Sequence, residues 1–107
     1  MTTKKINLLN VRIEKIRKEL TQIGEMRPGS ISKQYRDPKK RTGPYYQLSY
    51  THRMQSRTEH VWPEHLQLLE KETAAYKRFK RLTQELIDLS IERSRANIAY
   101  LRKQSGG

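Results

Sequence analysis

The chain is 107 residues long, one domain's worth, with no cysteine, 34% hydrophobic residues and a mean hydropathy of -0.99. That composition excludes a thick apolar core, disulfides, thiolate metal sites and cysteine nucleophiles. It carries 23 Lys and Arg against 11 Asp and Glu, a net charge of +12 at a pI of about 10.2, an excess that repels itself unless a polyanion such as nucleic acid neutralises it.

Residues 4–25 are predicted to be a helix. Ile6, Leu9, Ile13, Ile16, Leu20 and Ile23 recur at spacings of 3, 4, 3, 4 and 3, the a/d seam of a helix that packs lengthwise on another. Thr2 or Thr3 is the expected cap, and Gly24 lies where the helix should stop. Lys5, Arg12, Lys15 and Lys18 occupy the outer face. Residues 29–62 are predicted to form a small β-sheet. Ser30–Tyr35 reads as a short strand, followed by a basic loop, Arg36-Asp37-Pro38-Lys39-Lys40-Arg41, with Gly43-Pro44 read as turn punctuation. Tyr45–Thr51 and Thr58–Trp62 then form a hairpin around a turn at Arg53–Ser56. Tyr46, Leu48 and Tyr50 alternate, as do Thr58, His60 and Trp62 opposite Val61.

Residues 63–103 are predicted to be one long helix, about 60 Å at 1.5 Å per residue. Pro63 suits its first turn. Leu69, Tyr76, Phe79, Leu82, Leu86, Leu89, Ala96 and Tyr100 trace an apolar stripe, which Leu66 and Thr73 extend toward the start. The first helix is too short to cover all of it, which leaves apolar surface from Leu86 to Leu101 for a partner, another copy of the chain being the first expectation. Residues 1–104 form the expected domain, and 105–107 a flexible tail.

Residues 1–24, 25–62 and 63–107 carry net charges of +4, +5 and +3. The middle segment combines Arg36, Lys39, Lys40, Arg41, Arg53 and Arg57 with Tyr35, Tyr45, Tyr46 and Tyr50. Cations of this kind contact phosphates, while Tyr45 or Tyr46 stacks on unpaired bases; the competing reading is a buried tyrosine face with a solvated rim. Lys77, Arg78, Lys80 and Arg81 form a second basic ridge flanking Phe79, suited to a phosphate backbone, although Glu70, Glu72 and Glu85 stand ready to neutralise it. His52, His60 and His65 lack the spacing and companions of a metal site. Glu59 and Glu64 read as lone carboxylates, and no phosphate loop, nucleophile elbow or carboxylate cluster is present. The expectation is a protein that is not an enzyme and uses no cofactor. No apolar run reaches the roughly 18 residues of a membrane span. Met1–Lys5 is not followed by the apolar core of a secretory leader, so a cytoplasmic protein with no membrane partner is expected.

Gly29-Ser30-Ile31, Tyr35 and Gly43-Pro44-Tyr45-Tyr46-Gln47-Leu48-Ser49-Tyr50 resemble a group of short prokaryotic proteins encoded near transposase and other mobile-element genes. In that group a leading helix, a Gly-Ser strand, a basic loop, a Gly-Pro-Tyr-Tyr hairpin and a long helix follow in this order. The resemblance spans roughly residues 20–90 and implies a nucleic-acid setting without an established activity. Many members carry loop cysteines that look like a zinc knuckle; here the loop is short and has none, so no metal carries over.

The expected fold is α+β: a coiled-coil-like helical hairpin with a three-stranded antiparallel sheet inserted between its arms. The expected function is a nucleic-acid-binding accessory protein, on DNA or RNA. The alternative is a helical module that dimerises or docks on a larger protein.

Overall fold

The computed structural model describes residues 2–106. The chain is α+β, with helix α1 (Thr2–Thr21), strands β1 (Ser30–Asp37), β2 (Thr42–His52) and β3 (Gln55–Val61), and helix α2 (Leu66–Gly106) in that order. Its contacts divide it into two compact units, Met1–Ile23 with Phe79–Gly107, and Gly24–Arg78. Among the described residues no helix is long and apolar enough to cross a membrane.

The helical unit is held by the seam read from the sequence. Leu9, Ile13 and Ile16 of α1 are buried with Leu82, Leu89 and Ala96 of α2, and Ile6, Leu20, Ile23 and Leu86 pack around them. One apolar row of each helix enters this core, which is therefore one row deep. Lys5 reaches Glu92 and Arg12 reaches Glu85, both at 4.0 Å. Moving seven residues up one helix therefore moves seven down the other, an antiparallel pairing. These exposed pairs contribute little energy but fix the sense of the register.

Helix α1 stops at Thr21, short of the expected residue 25. The Gln22 and Ile23 amides donate to the Glu19 and Leu20 carbonyls at 3.1 and 3.3 Å, a tightening that satisfies orphan carbonyls and ends the helix. The side chain of Thr2, one of the two expected caps, lies outside the described residues. Pro63–His65 forms a 3₁₀ turn ahead of α2, and α2 continues to Gly106 through positions read as tail, Gly107 lying outside the described residues.

In the sheet unit β2 is central, antiparallel to both neighbours. Ile31 pairs with Leu48, Lys33 with Tyr46, and Tyr46 in turn with Val61. Leu48 and Val61 are fully buried at 0% and 2% exposure. Their face turns toward the start of α2, where Glu70, Thr73, Ala74 and Lys77 share a recess with Ile31, Lys33 and Tyr46. Several residues assigned to loops from sequence belong to strands. Arg36 and Asp37 end β1, and Gly43-Pro44 lies inside β2. Pro44 is tolerated there because β3 begins to pair only at Tyr46, so no ladder bond to β3 is lost.

Two turns join the strands. Pro38–Arg41 is braced by the Asp37 carboxylate, which accepts from the Lys40 amide at 3.2 Å, and Arg41 takes a left-handed φ of 53°. The β2–β3 turn is two residues, Arg53 and Met54, at φ 51° and 65°, tighter than the Arg53–Ser56 turn expected. This type I′ geometry matches strand twist, yet neither residue is the usual Asn or Gly.

Gly29 has a φ of 131°, and a Cβ there would lie 2.8 Å from Leu48 Cδ1 and 2.9 Å from the Ser49 carbonyl oxygen. Gly29→Ala should destabilise the sheet unit by about 2–4 kcal/mol in urea unfolding followed by Trp62 fluorescence. Gly24→Ala, with nothing within 4 Å of the new methyl, serves as the near-neutral control. Conversely, replacing Arg53-Met54 by Asn-Gly should stabilise by about 1–2 kcal/mol, because both positions are already left-handed.

Candidate nucleic-acid interface

Side chains alternate along β2, so one sheet face is covered and the other open. The open face carries Ser30, Ser32 and Gln34 of β1, Tyr45, Gln47, Ser49 and Thr51 of β2, and Ser56, Thr58 and His60 of β3, by the strand register. On this polar ground stands an aromatic group. Tyr45 and His60 lie roughly parallel at 6.4 Å with 22° between their planes. His60 meets Trp62 edge-on at 4.6 Å and 78°. Trp62 remains 59% exposed, and Tyr45 is half-buried.

Next to this group is the β1–β2 turn. Arg36, Lys39, Lys40 and Arg41 are all exposed. Arg36 stands opposite Gly43 in the ladder, its side-chain carbons 3.1–3.4 Å from the place a Gly43 Cβ would fill. The missing side chain gives the arginine room to lie across the strand, two residues from Tyr45. The Asp37 carboxylate that accepts from the Lys40 amide orders the turn without touching the lysine ammonium groups.

The residues proposed from sequence as one cluster do not gather in one place. Arg53 and Arg57 belong to the other half of the sheet: Arg53 follows His52, which lies ten residue steps down β2 from Thr42, about 33 Å at 3.3 Å per step, and Arg57 pairs with Tyr50, eight steps down. There Arg57 donates to Gln55 at 2.8 Å. Tyr46 points to the covered face and lines the recess with Lys77, so of the two adjacent tyrosines only Tyr45 faces outward. Arg78 is exposed in the sheet unit, whereas Lys80 and Arg81 belong to the helical unit. His52 and His60 fall on opposite faces of the hairpin by register, which removes the geometry of a shared metal. Among the described residues no three His, Asp or Glu side chains converge. His60 and Trp62 were absent from the sequence-derived site, although their shared parity was the available signal.

Glu59 is not the lone carboxylate the sequence suggested. Arg27 donates to it at 2.5 Å, the Tyr50 hydroxyl donates to its other oxygen at 3.1 Å, and the guanidinium lies 5.1 Å from the Tyr50 ring centroid. The Arg27 amide also donates to the Glu72 carbonyl at 3.0 Å. One residue thus ties the segment before β1 to β2, β3 and the start of α2.

The Arg27 hydrogen bond holds the Glu59 carboxyl below its ordinary value of 4.5, against an opposing desolvation, with the Tyr50 hydroxyl adding to the depression. A depressed carboxyl contributes stability above its unfolded pKa and loses it as pH falls through the folded value. The sheet unit should therefore weaken on acidification below about pH 4.5. Glu59→Gln should flatten that limb and lower stability at pH 7 by up to about 1 kcal/mol, since the pair is partly exposed. Urea midpoints measured from pH 3 to 7 report both effects.

No protein-family model, curated protein or solved structure matches this chain, so the resemblance at Gly29–Ile31 and Gly43–Tyr50 stands on those residues alone.

Proposed function

We propose that the protein binds single-stranded nucleic acid on the open face of its sheet. Tyr45, His60 and Trp62 stack on unpaired bases, and Arg36, Lys39, Lys40 and Arg41 neutralise the phosphates beside them. The observation that carries this reading is an aromatic group with Trp62 59% exposed on a polar face that adjoins an exposed basic turn. Every base has a π-face, so such a platform accepts sequence broadly, while the turn supplies the electrostatic attraction. A duplex hides its bases from rings on a flat sheet, which favours unpaired strands. DNA and RNA share this chemistry, and on a common base the 2′-hydroxyl is the feature that separates them. Serine, threonine and glutamine on the same face supply donors and acceptors for sugar and base edges.

Trp62 is the only tryptophan of the chain and so a direct probe. Oligodeoxyuridine and oligouridine should each quench its fluorescence, the stronger of the two naming the preferred sugar. With four phosphates neutralised, log K should fall against log salt with a slope of about -3. Trp62→Ala, followed by anisotropy of a labelled strand, should cost about 1–3 kcal/mol. Reversing Lys39, Lys40 and Arg41 to Glu should abolish binding while circular dichroism stays unchanged. Tighter binding to a duplex than to its separated strands, or unchanged affinity in the triple reversal, would overturn the assignment.

A further inference from the structure

The helical unit carries a second apolar row that its core does not use. Ile87, Ile91, Ile98 and Leu101 are 52%, 46%, 55% and 55% exposed. With Ser94 between them, they recur at spacings of 4, 3, 4 and 3. That is a heptad seam on the outside of α2, on the side away from the buried Leu82–Leu89–Ala96 row. A groove with a mostly apolar lining runs beside it, between Leu86 and Arg95, and Ser94 in the middle keeps the surface low enough for a second helix to approach. Single exposed leucines are ordinary, but a sustained heptad row is the pattern by which one helix recognises another.

The charges beside the row select the occupant. The positions that follow the seam residues on one edge are Asp88, Arg95 and Arg102, and those on the other edge are Ser90 and Asn97. Among the described residues neither Asp88 nor Arg95 has an ion-pair partner of its own; Asp88 accepts only from the Gln84 amide at 3.3 Å. In an antiparallel pair of identical helices like edges meet. If Ile87 faces Ile98 of a second copy, Asp88 of each chain stands against Arg95 of the other. Two-fold symmetry makes both contacts occur twice. A parallel pair would instead set the charged edge against the neutral one and leave both ions unmatched.

We infer that the protein forms an antiparallel homodimer through this outer face of α2, in the register that pairs Ile87 with Ile98 and Asp88 with Arg95. The occupant is a second copy of the chain, because the same short stretch supplies both the seam and the complement of its own charges. The interface lies wholly in the helical unit and does not depend on the proposed binding face of the sheet.

Sedimentation equilibrium on nuclease-treated protein across about 1 μM to 1 mM, at about 0.15 M salt so that long-range repulsion is screened, should show a monomer–dimer equilibrium. Ile91→Glu should leave helicity unchanged and give a monomer. Asp88→Arg makes the edge wholly basic and should weaken the dimer about tenfold, whereas adding Arg95→Asp to it should restore the dimer. Mixing singly substituted Asp88→Arg and Arg95→Asp proteins should give the heterodimer in preference to either homodimer by native mass spectrometry. A chain that stays monomeric throughout, or a dimer indifferent to Ile91→Glu, would overturn the interface. Loss of the dimer in Ile91→Glu without heterodimer preference in the mixture would overturn the antiparallel register.

Discussion

The alternation of side chains along β2 is the constraint on which the sheet unit depends. β2 is the central strand, so its even-numbered residues and their partners on both sides share one face, and its odd-numbered residues share the other. Leu48, fully buried, sets which face is covered. A slip of one residue would carry Leu48 into water and turn Tyr45 inward, exchanging core and platform together. Register is therefore held by more than the hydrophobic pattern. Asp37 closes one turn, the left-handed pair Arg53 and Met54 closes the other, and Arg27 clamps the outer edge through Glu59.

The helical unit answers the same shortage of apolar residues differently. A chain with 34% hydrophobic residues cannot surround its helices, so it buries one row on each and leaves the remaining faces to solvent. Lys5 and Arg12 stand against Glu92 and Glu85 across that row, which reduces self-repulsion where two basic helices come closest. Asn10, accepting from Arg93 at 3.2 Å, serves the same seam from its other side by giving a half-buried guanidinium a partner.

The parts legible in the sequence were those set by local period. The rows Ile6 to Ile23 and Leu66 to Tyr100 were readable because helical spacing repeats within a few residues, and the parity of Tyr46, Leu48 and Val61 because strand spacing does. Features governed by tertiary placement were hidden. Arg27 and Glu59 lie 32 residues apart and carry no local signal of their pairing. The Arg53-Met54 turn lacks Asn or Gly, so its type I′ geometry is imposed by the ladder on either side. Arg41 and Arg53 are near in sequence, but an antiparallel strand runs between them and carries them to opposite ends of the sheet. Sequence proximity suggested one basic cluster where the fold makes two.

Exposed apolar side chains carry information when they are grouped rather than scattered singly. Trp62 and the Ile87–Leu101 row are both outside, yet their settings differ. Trp62 stands beside His60 and Tyr45 on a polar sheet face, with exposed cations in the turn at one end. Rings so placed offer planar faces of the kind on which unpaired bases stack. The isoleucine row follows a heptad on a cylinder with matched opposite charges along one edge, and it offers no ring for a base. Shape and charge thus separate two features that composition alone had merged: a ring group beside a basic turn, which the proposed nucleic-acid reading uses, and a row of β-branched residues on α2, which the inferred dimer uses.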